Sequence, residues 1–111
     1  MQTIEYSEFQ KVEVRIGTII EASPFPEARK PSYKLKVDLG PLGIKKSSAQ
    51  ITDLYSCEEL PGRQVICICN FKPRQIANFM SEILVTGFSN EQGQIVLASA
   101  DKTVPNGSKL H

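Results

Sequence analysis

The sequence has no tryptophan, only one histidine, and only three cysteines. Each scarcity excludes something. Nucleophilic catalysis needs a base beside the nucleophile, and the one histidine, His111, is the last residue. There is no Gly-x-Ser-x-Gly elbow, and the seven glycines are dispersed among turns rather than gathered into a phosphate-cradling loop. Ser47 and Ser48 have lysine neighbours, but consecutive strand residues point to opposite faces. The adjacent carboxylates Glu58 and Glu59 sit where a helix dipole would explain them. The chain therefore reads as a binding module, not an enzyme. An odd cysteine count argues against a disulfide framework. Cys67 and Cys69 share one face of a strand. They are either half of a metal site or two small core hydrophobes, and the shortage of further ligands favours the core. Neither metal nor cofactor is expected. No apolar run approaches the ~18 residues of a membrane span, and Met1–Glu5 has neither the basic nor the apolar region of a signal peptide. Thiols without a visible export signal point to the cytoplasm. Asn106-Gly107-Ser108 then reads as a turn.

Charge of one sign is also nearly lacking, at a formal +1. Its distribution is uneven. From Arg29 to Arg74 there are nine basic residues against four acidic, and the remainder holds four against eight. One basic face on a near-neutral protein fits this, as do lysines scattered over a solvated surface.

What is present is a succession of short strands. The 111 residues suit one domain, 1–111, whose modest buried surface leaves little stability margin. Ser7 to Gln10 has capping-box spacing and predicts a short N-terminal helix. Val12, Val14, Ile16, Thr18 and Ile20 alternate with Glu13, Arg15 and Gly17, which predicts a strand with its polar face on Arg15. Pro24, Pro26 and Pro31 mark a loop. Tyr33, Leu35, Val37 and Leu39 alternate with Lys34, Lys36 and Asp38, the clearest half-buried strand. After the Gly40–Gly43 turn, Ile44 to Ile51 predicts a more polar strand. Ser56 to Glu59 repeats the capping-box pattern and predicts a short helix stopped by Pro61-Gly62. Val65 to Cys69 is apolar on both faces, and Ile83–Phe88 with Ile95–Ala98 predicts a final pair around Asn90–Gly93. Three strands, a helix and two strands, with a C-terminal extension, is the order of an all-β OB-fold, a five-stranded Greek-key barrel.

One stretch is more specific: Gly43-Ile-Lys-Lys-Ser-Ser-Ala-Gln-Ile51, Tyr55, Glu58-Glu59-Leu60, Gly62-Arg63-Gln64-Val65, and Asn70-Phe-Lys-Pro-Arg74 on to Met80-Ser-Glu82. With Val14-Arg15-Ile16-Gly17 it resembles the tRNA-binding domain family, whose members include domains attached to aminoacyl-tRNA synthetases. Pro24-Phe-Pro-Glu-Ala-Arg-Lys-Pro31, Ser47–Gln50 and Pro105-Asn-Gly107 resemble the stand-alone, export-related chaperone branch of that family. The resemblance implies an OB-fold homodimer, with residues 1–12 and 100–111 in the interface. It implies a ligand that is either an unfolded preprotein, held in cooperation with the Sec machinery and its motor SecA, or the outside corner of tRNA.

On that resemblance the ligand face comprises Ser47, Ser48, Gln50, Asn70, Ser81 and Glu82. Polar groups on both faces of one strand suit a barrel poorly, which favours function for the serines over an exposed edge strand. Asn70 either serves the ligand or simply ends its strand. Lys72 and Arg74 are either phosphate or acidic-side-chain contacts or solvated loop charges. Phe71, Ile76, Phe79 and Met80 form an apolar group that either closes the barrel end or offers an adaptable pocket. Arg15 is a further candidate, with an ion pair to Glu13 as the alternative. Lys34 and Lys36, further candidates for the ligand face, point outward on the second strand, where base-stacking OB-folds place aromatics; stacking of single strands is therefore not expected. Phe9, Val12, Val104 and Leu110 are the expected dimer contacts.

Overall fold

The computed structural model describes all 111 residues. The elements are α1 (Tyr6–Gln10), β1 (Val14–Pro24), β2 (Tyr33–Asp38), a 3-10 turn (Gly40–Leu42), β3 (Ile44–Ala49), β4 (Gln64–Ile68), β5 (Arg74–Ile76), β6 (Phe79–Ser81), β7 (Leu84–Val85), β8 (Gly87–Ser89) and β9 (Ile95–Leu97). A five-stranded antiparallel sheet in the order β3-β2-β1-β4-β7 curls until its two edges approach. The β5–β6 and β8–β9 hairpins are separate two-stranded ribbons. This is an all-β, OB-type five-stranded barrel that is nearly closed. At the seam, the Glu82 and Ile83 N–H groups both donate to the Lys46 carbonyl, at 2.8 and 3.3 Å.

β2 behaves as its alternation predicts: Leu35 and Val37 are buried, Lys34 and Lys36 face outward. β1 does not. Gly17 pairs with Val65 and Ile19 with Val37, so glycine lies on the core phase. A Cβ at Gly17 would stand 2.5 Å from Val37 Cγ1 and 2.8 Å from Leu39 Cδ2, so the strands cross too closely there for any side chain. Arg15 shares that inward phase, opposite Cys67 at the end of the barrel, while Val14 and Ile16 pair outside with Ile68 and Ile66. A bulge between Ile19 and Glu21 then shifts the register, as bulges in strongly bent strands do.

Two expected helices also differ. Helix α1 starts one residue before Ser7, with Glu5 as an N-cap that makes no side-chain bond. From Ser56 to Glu59 the chain makes turns, not a regular helix. Glu59 Oε1 does accept from the Ser56 N–H at 3.0 Å, half of a capping box. Pro61 follows too soon for a helix to propagate. The core gathers Ile19, Leu35, Val37, Leu39, Leu60, Val65 and Cys67, all essentially inaccessible. Cys67 is thus a core hydrophobe, and burial pushes its thiol up to about 12. No group of three or more His, Cys, Asp or Glu side chains converges, and no helix is long and apolar enough to cross a membrane.

Candidate functional site

The β3 and β7 edges meet at Lys46 and then diverge. The divergence opens a cleft of about 660 Å³. One wall is the end of β3 and its continuation, Ser48 to Ile51; the other is Leu84 to Gly87 with Ile95. Its mouth is framed by Phe71, Lys72, Arg74 and Ile76, and its head by Ser81 and Glu82. Phe71 and Leu84 are large apolar side chains left 55% and 44% exposed. Lys72 and Arg74 enter none of the chain's ion pairs, so the rim carries two free cations over an apolar floor.

Ser81 and Glu82 hold the head of the cleft in shape. The Ser48 N–H donates to Ser81 Oγ at 3.1 Å, and the Lys46 N–H donates to Glu82 Oε1 at 3.0 Å. Two side chains thus stand in for a neighbouring strand along β3, satisfying edge donors that would otherwise be open. The β5–β6 hairpin leans on β3 beside them. Its Phe79 ring meets Phe25 edge-on at 5.4 Å. Lys46 stands over the same ring at 5.3 Å, and Lys34 reaches both Phe25 and Phe79, at 5.0 and 5.8 Å. Such contacts are worth roughly 0.5–1 kcal/mol each at exposed sites.

Of the expected ligand residues, the structure brings Ser48, Gln50, Phe71, Lys72, Arg74, Ser81 and Glu82 together around this cleft. The others go elsewhere. Arg15 bonds Glu13 Oε1 at 2.7 Å and the Gly107 carbonyl at 2.9 Å, tying β1 to the tail. Its guanidinium holds the Glu13 carboxyl below its usual value. Ser47 is fully buried among core side chains. Asn70 clips the N-terminal segment: its Oδ1 accepts from the Glu13 N–H at 2.9 Å and its Nδ2 donates to the Lys11 carbonyl at 2.6 Å. Lys36 pairs with Glu21 at 3.0 Å. Lys34, besides its aromatic contacts, lies 3.9 Å from Glu27. Phe79 packs against Phe25, Lys34 and Lys46, and Met80 is exposed beside it; neither lines the cleft. Leu84, Val85, Thr86, Gly87 and Ile95 form a wall that sequence reasoning missed. The one available signal was Gly87 inside an apolar strand, which marks a close backbone approach. A Cβ there would stand 2.6 Å from Ile95 Cγ2.

Phe9, Val12 and Leu110 line a second, smaller cleft of about 230 Å³ with Tyr6, Val14 and His111, where the two ends of the chain meet. The Val104 main chain is held by Gln64: its C=O accepts from Gln64 Nε2 at 2.7 Å and its N–H donates to Gln64 Oε1 at 3.2 Å.

Comparison with known proteins places this architecture. Residues 14–109 match the family described as "Putative tRNA binding domain". The solved structure of chaperone CsaA from Bacillus anthracis superimposes with a TM-score of 0.93 at 42% identity, covering 99% of this chain and 100% of that one. The CsaA chaperone protein of Picrophilus torridus gives 0.91 at 44% identity, covering 98% and 100%. The methionine–tRNA ligase of Methanocaldococcus jannaschii is 34% identical over 110 residues, 99% of this chain but 17% of the ligase. The chain spans about a sixth of the length of the curated relatives it matches. With its OB-type barrel and a family match over residues 14–109, this chain is a member of the tRNA-binding domain family.

Proposed function

We propose that this chain is a CsaA-like chaperone module that holds unfolded preproteins for export in the cytoplasm and cooperates with the export motor SecA. The observation that carries the reading is the open cleft at the barrel seam, with exposed Phe71 and Leu84 on its walls and Lys72 and Arg74 at its rim. Apolar burial gives grip that depends little on sequence, and the cations select against basic segments. The likeness to two solved structures titled as CsaA chaperones, at 42% and 44% identity, supports the same reading.

The whole chain acts as one domain, and the working form is a homodimer. Val14, Ile66 and Ile68 form a partly open apolar outer face on β1 and β4, and Ile4, Tyr6 and Leu110 are exposed beside it. Phe9 and Val12 extend that surface; a small core gains most from such burial. Sedimentation at micromolar concentration shows a dimer on this reading, and a 12.3 kDa species alone overturns it.

Binding of structured tRNA is the second reading, favoured by the unpaired Lys72 and Arg74. Salt separates the two. Contacts to phosphate release counterions, and six or more of them cost ~1000-fold between about 50 and 200 mM salt. Apolar burial is scarcely weakened over that range. Binding of a denatured precursor survives the higher salt, and Phe71→Ser with Leu84→Ser removes it. Replacing Lys72 and Arg74 with Ala weakens tRNA binding far more than precursor binding. Tight, salt-sensitive tRNA binding with no hold on unfolded chains overturns the chaperone reading.

A further inference from the structure

We infer that the cleft takes its ligand as an added β-strand, pairing main chain to main chain along the outer edge of β3 from Ser48 to Gln50. This rests on the chaperone reading and specifies how the chain is held.

The main-chain groups of β3 divide into those already used and those left open. The Leu39 N–H bonds the Gly43 carbonyl, and β2 and β3 pair in one unbroken register, Val37 with Lys45, Leu35 with Ser47 and Tyr33 with Ala49. Hydrogen-bonded and non-bonded pairs alternate along an antiparallel ladder. The odd-numbered β3 residues therefore spend their main-chain groups on β2, and those of Lys46, Ser48 and Gln50 project from the other edge. Lys46 is fully engaged across the seam, its N–H by Glu82 Oε1 and its C=O by two amides. The Ser48 N–H is engaged by Ser81 Oγ. There the capping stops. The Ser48 carbonyl receives only a long 3.4 Å contact from Ser47 Oγ. Neither main-chain group of Gln50 has a partner within the chain. The open stretch of edge coincides with the cleft, so the unpaired groups line an apolar slot.

That juxtaposition selects an extended polypeptide. An incoming strand meets one acceptor at Ser48 and a donor–acceptor pair at Gln50, while alternate side chains drop toward Leu84 and Ile95. Main-chain pairing supplies affinity without a sequence requirement, and the pockets beneath supply a bias. Charge sharpens the bias. Glu82 is tied to the Lys46 N–H, whereas Lys72 and Arg74 are free at the mouth, so the favoured strand carries an acidic residue at that end. Ser81 and Glu82 act as the stop that fixes where pairing begins.

The test uses the full chain and a fluorescent ten-residue peptide, rich in Val and Thr with one Asp. Three versions are compared: unmodified, and N-methylated at one or the other set of alternate residues. N-methylation deletes a donor and leaves side chains intact. Methylating one set lowers affinity about tenfold or more, and methylating the other set changes it little, because only one side of the added strand faces β3. On the protein side, Gln50→Pro removes the edge donor and Gln50→Ala keeps it. Gln50 is exposed and lies beyond the end of β3, and an extended Ala49 suits a following proline. Gln50→Pro weakens the peptide about tenfold relative to Gln50→Ala, which loses the same side chain but keeps the main-chain donor. If all three peptides bind alike, strand addition is wrong and the holding function stands. If no peptide binds while tRNA does, the function on which the inference rests falls with it.

Discussion

The barrel has two closures, and they are built differently. On one side, β1 pairs with β4 through five consecutive residue pairs, and the C-terminal tail adds a further layer of bonds, from Gly107 N–H to the Ile16 carbonyl and from Leu110 N–H to the Val14 carbonyl. Asn106 Oδ1 accepts from both Thr18 Oγ1 at 2.7 Å and Gln64 Nε2 at 3.2 Å. On the other side, β3 and β7 share two amides on one carbonyl and two side-chain caps. The first closure is a continuous ladder; the second is a seam stitched at one point and left open beyond it. A barrel that seals everywhere has no edge to offer, so the weaker closure is the one that leaves main-chain groups of β3 open.

The sharpest way to break the comparison is to attack the sealed side where it is tightest. Gly17→Val places branched carbons against Val37 and Leu39 and should destabilise the fold by about 3 kcal/mol or more, seen as a collapse of the urea midpoint. Asn106→Ala unlatches the tail and leaves the Thr18 hydroxyl without its acceptor, while Gln64 keeps the Val104 carbonyl. The expected loss is about 1–2 kcal/mol, read from the same curve, with cleft binding unchanged. Glu82→Ala strikes the open side. It frees the Lys46 N–H at a solvent-accessible seam, so stability falls by about 1 kcal/mol or less. Peptide affinity should change more than stability does, because the head of the cleft loses its stop. Equal effects of Asn106→Ala and Glu82→Ala on both properties would erase the distinction. The smallest effect is titration of Glu13. Its folded value is depressed, first by the Arg15 guanidinium. Its contribution is therefore present above the unfolded value and lost as pH falls through the folded one. Thermal unfolding followed between pH 6 and pH 3 should show a small extra acid sensitivity that Glu13→Gln abolishes.

How far the sequence spoke depended on whether the deciding contact was local. The alternation of Tyr33 to Leu39 named β2 and its inward face, because one face is buried along its whole length. The same reasoning inverted β1. Nothing local says that Gly17, not Ile16 beside it, takes the core phase; that follows from how closely β2 crosses it. The β5–β6 hairpin was invisible for a related reason. Its turn carries Ala77 at φ +51, where a glycine would have announced it. Ser81 and Glu82 at the head of the cleft stood out through family resemblance, and Lys72 and Arg74 at its mouth only as charges flanking a turn. The wall from Leu84 to Gly87 was not, since a strand lining a cleft has the same composition as one lining a core. Asn70 gave no local sign of its clip to the N-terminal segment, because Lys11 and Glu13 lie nearly sixty residues away in the chain.

The placement of the chain's two ends has a mechanical consequence. The tail runs antiparallel to β1, with Leu110 beside Val14. A force pulling the two termini apart therefore loads the bonds between them one after another, not all together. Such a joint unzips, whereas one loaded in parallel must shear. Tension applied through both ends would peel off the tail first and reach the β1–β4 ladder later. The barrel would yield softly from its latched side, with the cleft among the last parts to feel the strain.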